Sequence, residues 1–375
     1  MTQRENLAQA QRIVVKVGTS TLTYPNGSLN ITRIENLVRE ISDLRNQGRE
    51  VLLVSSGAIG TGANRMGLQE KPNTLPEKQA LAAIGQGTLL HLYEKLFSEY
   101  NHIIAQVLLT REDLDDRLRY LNAVHALNAI LKMNAIPIIN ENDTVAVDEI
   151  KFGDNDTLSS LVAAMVNADL LLILSDVDGL FDQDPNIYPD ARLQAEIYEI
   201  TSAMEEHSKT KGTAFSTGGM YTKLKAAQIS MTSGVPMVIA NSSVPHIIRD
   251  IANGMNIGSL FVPYEEKITS RKKWLAFYPH ARGSIMVDDG CKNALLNHGK
   301  SLLAIGITDV SGDFAKGAVI SVQDCNATEI ARGVTNYNSE EINHIKGKST
   351  TDIANILGSL DYDEVIHRDQ LWIKA

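Results

Sequence analysis

A chain of 375 residues that is 43% hydrophobic and 21% charged is long enough for two ordinary globular domains, each with its own core. Its net charge of −10 excludes a general nucleic-acid binder, which needs clustered Lys and Arg to displace counterions from phosphate. No apolar run reaches the roughly 18 residues of a membrane span, MTQRENLAQAQR lacks a signal-peptide core, and Cys291 and Cys325 are too few for a disulfide framework, so a cytoplasmic protein is expected.

Residues 1–262 alternate strand-like and helix-like segments. Arg12–Val17 is a short apolar run ending at Gly18, and Ile34, Leu37, Val38, Ile41 and Leu44 recur at helical spacing within Ile31–Arg45. Glu50–Val54 reads as a buried strand and Leu75–Tyr100 as a helix. Ile103–Leu109 and Ala135–Asn140 read as strands separated by a helix over Leu118–Met133. A helix from Asp156 leads to the strand Asp169–Ser175, and a helix over Gly219–Gly234 leads to Val235–Ala240. Continuous apolar strands separated by helices predict an α/β domain, with a mostly parallel sheet covered by helices on both faces. Ligands of such sheets bind at the carboxyl ends of the strands.

The pattern changes after Val262. Residues 263–281 are charged, with prolines near each end, and read as a linker. Residues 282–375 carry short segments at Gly283–Val287, Leu302–Ala304, Ala318–Val322, Ile330–Val334 and Val365–His367, separated by Gly, Asp and Asn, which predicts a small β-rich domain.

Four polar clusters follow predicted strands. Lys16-Val17-Gly18-Thr19-Ser20 places a cation, a glycine and two hydroxyls where an anion can be met, although a solvated strand lysine is the plainer alternative. Ser55 to Gly62 (SSGAIGTG) is a glycine-rich turn offering backbone N–H groups to a phosphate or carboxylate, or simply a structural turn. Asn140-Glu141-Asn142-Asp143 and Lys151 to Asp156 (KFGDND) crowd carboxylates in one βα-unit, which costs stability unless they are paired or functional. Asp156 is also suited to capping the helix that follows. Thr217 to Lys223 (TGGMYTK) opens a helix with glycines suited to a nucleotide phosphate, downstream of Ser175-Asp176-Val177-Asp178-Gly179-Leu180. Two further motifs carry no site. Gly347-Lys348-Ser349-Thr350 resembles the end of a P-loop, but the glycine that loop requires five residues earlier is Ile342. The 9 histidines form no H-E-x-x-H pair, and the cysteines lack zinc spacing.

Taken in order, K-V-G-T-S at 16–20, V-S-S-G-A-I at 54–59, I-N-E-N-D at 139–143, K-F-G-D-N-D at 151–156, S-D-V-D-G-L at 175–180 and the run Ser216–Lys223 resemble the amino-acid kinase family over nearly the whole chain. Ser216 stands where that family's motif has glycine. I-N-E-N-D with G-D-N-D narrows the resemblance to members that phosphorylate L-glutamate, and the tail resembles a PUA domain. The resemblance implies a phosphotransferase with a carboxyl acceptor, converting ATP and L-glutamate to ADP and L-glutamyl 5-phosphate with Mg²⁺, as the first step of proline biosynthesis. It implies that Lys16 and Lys223 stabilise the transferring phosphoryl group and that Asp156 holds the two lysines. Ser56, Asp143 and Asn155 would bind glutamate. Lys16, Ser175, Asp176, Thr217, Gly218, Gly219, Met220, Tyr221, Thr222 and Lys223 would line the ATP site. Feedback inhibition by proline and a homo-oligomer, dimer or tetramer, are also implied.

The chemistry agrees. A carboxylate is already a nucleophile, so the task is to neutralise repulsion between two anions rather than to supply a base. Sibling kinases acting on acetylglutamate, aspartate, carbamate or uridylate are the nearest alternatives. Glu141 and Asp143 favour a substrate with a free ammonium group. An RNA-binding role for the tail is opposed by its 9 Lys/Arg against 13 Asp/Glu from Arg282 to Ala375. A dehydrogenase is opposed by the absence of G-x-G-x-x-G after the first strand.

Overall fold

The computed structural model describes residues 2–24, 26–68, 72–146, 154–183, 185, 187–209, 219–264, 270–277, 281–358 and 362–374. The chain divides into two compact units, Met1–Lys267 and Ile268–Ala375.

The first unit begins with α1 (Gln3–Leu7), β1 (Arg12–Val17), α2 (Thr19–Leu22), α3 (Ile31–Asn46), β2 (Glu50–Val54), α4 (Ala58–Arg65) and α5 (Leu75–Ser98). It continues through β3 (Ile104–Leu109), α6 (Arg111–Asp115), α7 (Arg117–Lys132), β4 (Ile136–Glu141), α8 (Asn155–Met165) and β5 (Leu170–Ser175). It closes with β6 (Glu196–Ile197), α9 (Ser202–Lys209), α10 (Met220–Thr232), β7 (Met237–Asn241), α11 (Ile247–Ala252) and β8 (Ser259–Phe261).

The eight strands form one sheet in the order β3-β4-β2-β1-β5-β7-β8-β6, parallel throughout except that β8 runs antiparallel to β7. Local chemistry sets the helix starts. Asn30 caps α3, Thr74 and Glu77 form a capping box on α5, Asp116 caps α7 and Asp154 caps α8. The predicted stripe Ile34, Leu37, Val38, Ile41 and Leu44 is buried, and it joins Ile13, Val15 and Val17 of β1 in one core. The alternation of a strand then sends Val14 and Lys16 to the opposite face, which α8 covers.

Strand order is what positions a site. β1 lies between β2 and β5, with β4 beyond β2, so the carboxyl ends of β4, β2, β1 and β5 form a row. Asn140, Ser55, Lys16 and Ser175 stand at or next to those ends, with neighbouring strands spaced about 4.8 Å apart.

The second unit comprises α12 (Ser270–Phe277), β9 (Ser284–Val287), α13 (Asp289–His298), β10 (Ile307–Ser311), β11 (Val319–Gln323), β12 (Glu329–Val334), α14 (Ser339–Ile345), α15 (Thr350–Leu357) and β13 (Leu371–Ile373). Its sheet runs β10-β9-β11-β12-β13 over a core that includes Ile285, Val287, Ile320, Val322, Tyr337, Ile342 and Val365. The charged stretch read as a linker contains α12, whose Trp274 and Leu275 are buried against this unit. Leu302 and Ile366, both in segments read as strands, meet only in an isolated bridge.

Candidate active site

Asp156 is the hub. It lies in the first turn of α8 and is wholly buried, and its carboxylate faces Lys16 from β1 and Lys223 from α10. Lys16 Nζ is 2.5 Å from Oδ1 and Lys223 Nζ is 3.3 Å from Oδ2, while Thr222 Oγ1 donates to Oδ2 at 3.0 Å. Burial on its own would raise the carboxyl pKa, but the two ammonium groups and the Thr222 hydroxyl outweigh it and hold Asp156 at about 2. Asp156 is therefore not the helix cap. Asp154 takes that role, accepting from Thr157 N at 2.8 Å, and the division of labour turns Asp156 into the site. Burial and the neighbouring Asp156 charge raise the Asp154 carboxyl.

Two buried lysines on one carboxylate leave a net positive charge of one. A lysine in the first turn of α10 also opposes the helix dipole, an arrangement a purely structural design avoids. Gly219 occupies the N-cap of α10 with no side-chain cap, and the helix start carries the positive end of the dipole. These features fit an anion such as a nucleotide phosphate.

Among the residues expected to line the ATP site, Ser175 ends β5 and its hydroxyl donates to Asp176 at 3.0 Å. Asn241, at the end of β7, donates to Asp178 at 2.8 Å. Met220 and Tyr221 are half-buried in the first turn of α10, and the Lys225 ammonium lies 4.6 Å from the Tyr221 ring centroid. Thr217 and Gly218, expected to line the ATP site, lie outside the described residues, as do Lys151 to Gly153. Thr222, expected to line the ATP site, braces Asp156.

Among the residues expected to bind glutamate, Asn155 Nδ2 lies 2.7 Å from Ser55 O, 2.8 Å from Asn140 Oδ1 and 2.9 Å from Ser56 Oγ, three acceptors that share its two hydrogens. Asn155 and Ser56 are thus brought together as expected. Because Ser56 Oγ accepts here, its own O–H is left to donate elsewhere. Asp143 lies in the turn just beyond β4 and is half-buried. Sequence reasoning missed Gln86 of α5, whose Oε1 accepts from Asn140 Nδ2 at 2.9 Å, and Tyr93, whose hydroxyl meets Ser55 Oγ at 2.9 Å beneath the turn.

The glycine-rich run after β2 divides by role. Gly57 adopts a left-handed φ of 87° to start α4. Gly62 instead serves packing, since a Cβ there would lie 2.0 Å from Leu81 O. Gly85 answers it from α5, where a Cβ would lie 1.8 Å from Ala58 O. The expectation that the whole turn offers N–H groups to an anion is therefore narrowed to its first residues.

The amino acid kinase family matches residues 11–241, and a PUA domain matches residues 283–357. The chain belongs to the amino acid kinase family. All the geometry described above, from Lys16 to Asn241, falls within the span matched to that family. Among relatives named glutamate 5-kinase, one from Caldanaerobacter subterraneus subsp. tengcongensis is 55% identical over 360 residues, covering 96% of this chain and 97% of its own. One from Thermoanaerobacter sp. (strain X514) is 53% identical over 362 residues, with the same coverage. One from Moorella thermoacetica is 52% identical over 374 residues and covers 99% of both chains.

Proposed function

We propose that this chain transfers the γ-phosphoryl group of ATP to the side-chain carboxylate of L-glutamate, giving ADP and L-glutamyl 5-phosphate, the first step of proline synthesis. The observation that carries the reading is the position of Lys16, with Asp156 and Lys223, on the strand between two polar clusters. Ser56, Asn155 and Asp143 lie toward β2 and β4, and Ser175, Asp176 and α10 lie toward β5 and β7. Full-length relatives named glutamate 5-kinase support the choice of acceptor.

In the reaction, a carboxylate oxygen of glutamate attacks the γ-phosphorus while the bond from that phosphorus to the β,γ-bridging oxygen breaks. ADP leaves with the electron pair. No base is required, since the nucleophile is already ionised. Lys16 and Lys223 neutralise charge as it spreads over the phosphoryl oxygens, and Asp156 keeps both ammonium groups aimed. Ser56 and Asn155 orient the acceptor, and the carboxylate of Asp143 pairs with its ammonium group. Ser175, Asp176 and Thr217 through Lys223 form the nucleotide site. Among the described residues no three His, Cys, Asp or Glu side chains converge on a metal position. Mg²⁺ would enter with the nucleotide, held chiefly by phosphate oxygens and water.

The same reading makes residues 1–262 the catalytic domain, 263–281 a linker and 282–375 a PUA-like domain. It also makes the protein a cytoplasmic homo-oligomer inhibited by proline, and among the described residues no helix is long and apolar enough to cross a membrane. The test is ADP release with L-glutamate, L-aspartate, N-acetyl-L-glutamate and carbamate, with hydroxylamine trapping of the acyl phosphate. Turnover with glutamate alone is expected. Equal turnover of N-acetylglutamate refutes the pairing of Asp143 with an ammonium group.

A further inference from the structure

We infer that Gln86, on α5, is a positioning residue for the acceptor site, acting through Asn140 on Asn155; the inference rests on the glutamate reading above. Its basis is a chain of three amides whose polarity is set from one end. Ser55 O is a backbone carbonyl and can only accept, so the atom facing it at 2.7 Å must be the Asn155 nitrogen. That nitrogen also donates to Asn140 at 2.8 Å, so the Asn140 oxygen is the acceptor. The Asn140 nitrogen is then the only group left to face Gln86, and it donates to Oε1 at 2.9 Å. Each amide admits one orientation, and Gln86 terminates the relay as its acceptor.

The burial of Asn140 gives the terminus its weight. Asn140 is 2% exposed, so its amide hydrogens have almost no access to water. Removing the Gln86 acceptor strands a buried N–H donor. The Asn140 amide can then turn to find another partner, and turning withdraws the oxygen that holds Asn155. Asn155 also bonds Ser56 Oγ, so both substrate-facing groups inherit the error. Neither Lys16 nor Asp156 shares a hydrogen bond with this relay, and the phosphoryl-transfer machinery should be spared.

The experiment compares the full chain with Gln86→Met, Asn155→Ala and the double variant in steady-state assays. Methionine keeps the length and helix propensity of glutamine and removes the amide, the Oε1 acceptor together with the Nε2 donors. Gln86→Met is expected to raise the KM for glutamate about tenfold, the scale of one lost buried hydrogen bond, with kcat and the KM for ATP unchanged. Because Gln86 acts through Asn155, adding Gln86→Met to Asn155→Ala should raise the glutamate KM no further. Thermal melting of each variant separates this from misfolding, since a structural role alone moves kcat and both KM values together. An unchanged glutamate KM in Gln86→Met, or effects that add fully in the double variant, overturns the inference. If the unaltered chain does not turn over glutamate, the functional reading itself fails, which is a distinguishable result.

Discussion

At the scale of single residues, the lysine–carboxylate–lysine cluster makes distinct predictions for kinetics and for stability. Lys223→Ala and Lys16→Ala should each lower kcat by about 10²–10³, or ~2.7–4 kcal/mol, because their charge acts most when the phosphoryl group is in flight. Normal kcat with a raised KM for ATP would instead mark either lysine as a ground-state binder. Asp156→Asn should destabilise the fold by about 3–5 kcal/mol, since it leaves two buried ammonium groups without their counter-charge. The sign of the pH dependence follows from a carboxyl lowered from its ordinary value to about 2. A depressed carboxyl stabilises the native state fully above its unfolded value and loses that contribution as pH falls through the folded one. The stability gap between the unaltered chain and Asp156→Asn should therefore be constant above pH ~4 and narrow by about 2 kcal/mol toward pH ~2. Urea midpoints across that range check it, and a gap that does not change with pH refutes it. Lys16, Asp156 and Lys223 stand out in the sequence because each lies beside a strand end or helix start within a polar run, but their joint role is implied only by the resemblance to the amino-acid kinase family. Gln86 does not stand out. It joins the site only because two helices pack closely, and no periodicity in its own helix marks it.

At the scale of elements, α4 and α5 pack closely beside the proposed acceptor site. Gly62 and Gly85 let the two helices meet backbone to backbone, while a Cβ at Gly87 meets nothing within 4 Å. Gly85→Ala should therefore force the helices apart, costing about 1–3 kcal/mol and raising the glutamate KM as Gln86 moves with α5. Gly87→Ala, two residues away, should stabilise by about 0.4–1 kcal/mol through the unfolded state and leave kinetics unchanged. Chemical denaturation and steady-state assays of the pair check this, and equal behaviour of the two variants would remove the packing argument. The same scale shows where sequence reading stops. Long apolar strands such as Leu170–Ser175 and well-spaced helices such as Ile31–Asn46 were legible because burial on one or both faces imposes period and hydrophobicity together. In the second unit, Ile307–Ser311 has two consecutive exposed residues, Thr308 and Asp309, at an irregularity in its pairing and gives little apolar signal. Its helix Ser339–Ile345 is announced by a capping box of Asn338 and Glu341, a signal present in the sequence but hidden among short segments.

At the scale of the molecule, the described candidate-site residues all come from the first unit. Every site residue described lies between Lys16 and Asn241, and Met1–Lys267 is one compact unit. That unit also fastens its own two ends together. The buried Arg4 of α1 donates to Ile257 O at 2.7 Å, and to Ala195 O and Gly258 O at 2.8 Å, which ties the first helix to the residues just before β8 and β6. Arg49 repeats the device, donating to Ala252 O at 2.9 Å and Ala8 O at 3.3 Å. Carbonyls at the ends of α1 and α11 and in the turns before β6 and β8 are thus satisfied from within the unit. The second unit has a separate sheet and core and, with 9 Lys/Arg against 13 Asp/Glu from Arg282 onward, a negative balance unsuited to holding ATP phosphates. A chain ending after Lys267 should therefore fold and keep glutamate kinase activity of the same order as the full chain, and its response to proline and its mass in solution are the properties expected to change. Circular dichroism, sedimentation and ADP release with and without proline measure these together. A folded truncated chain without activity would mean that the tail completes the site, and the division of labour between the two units would then be wrong.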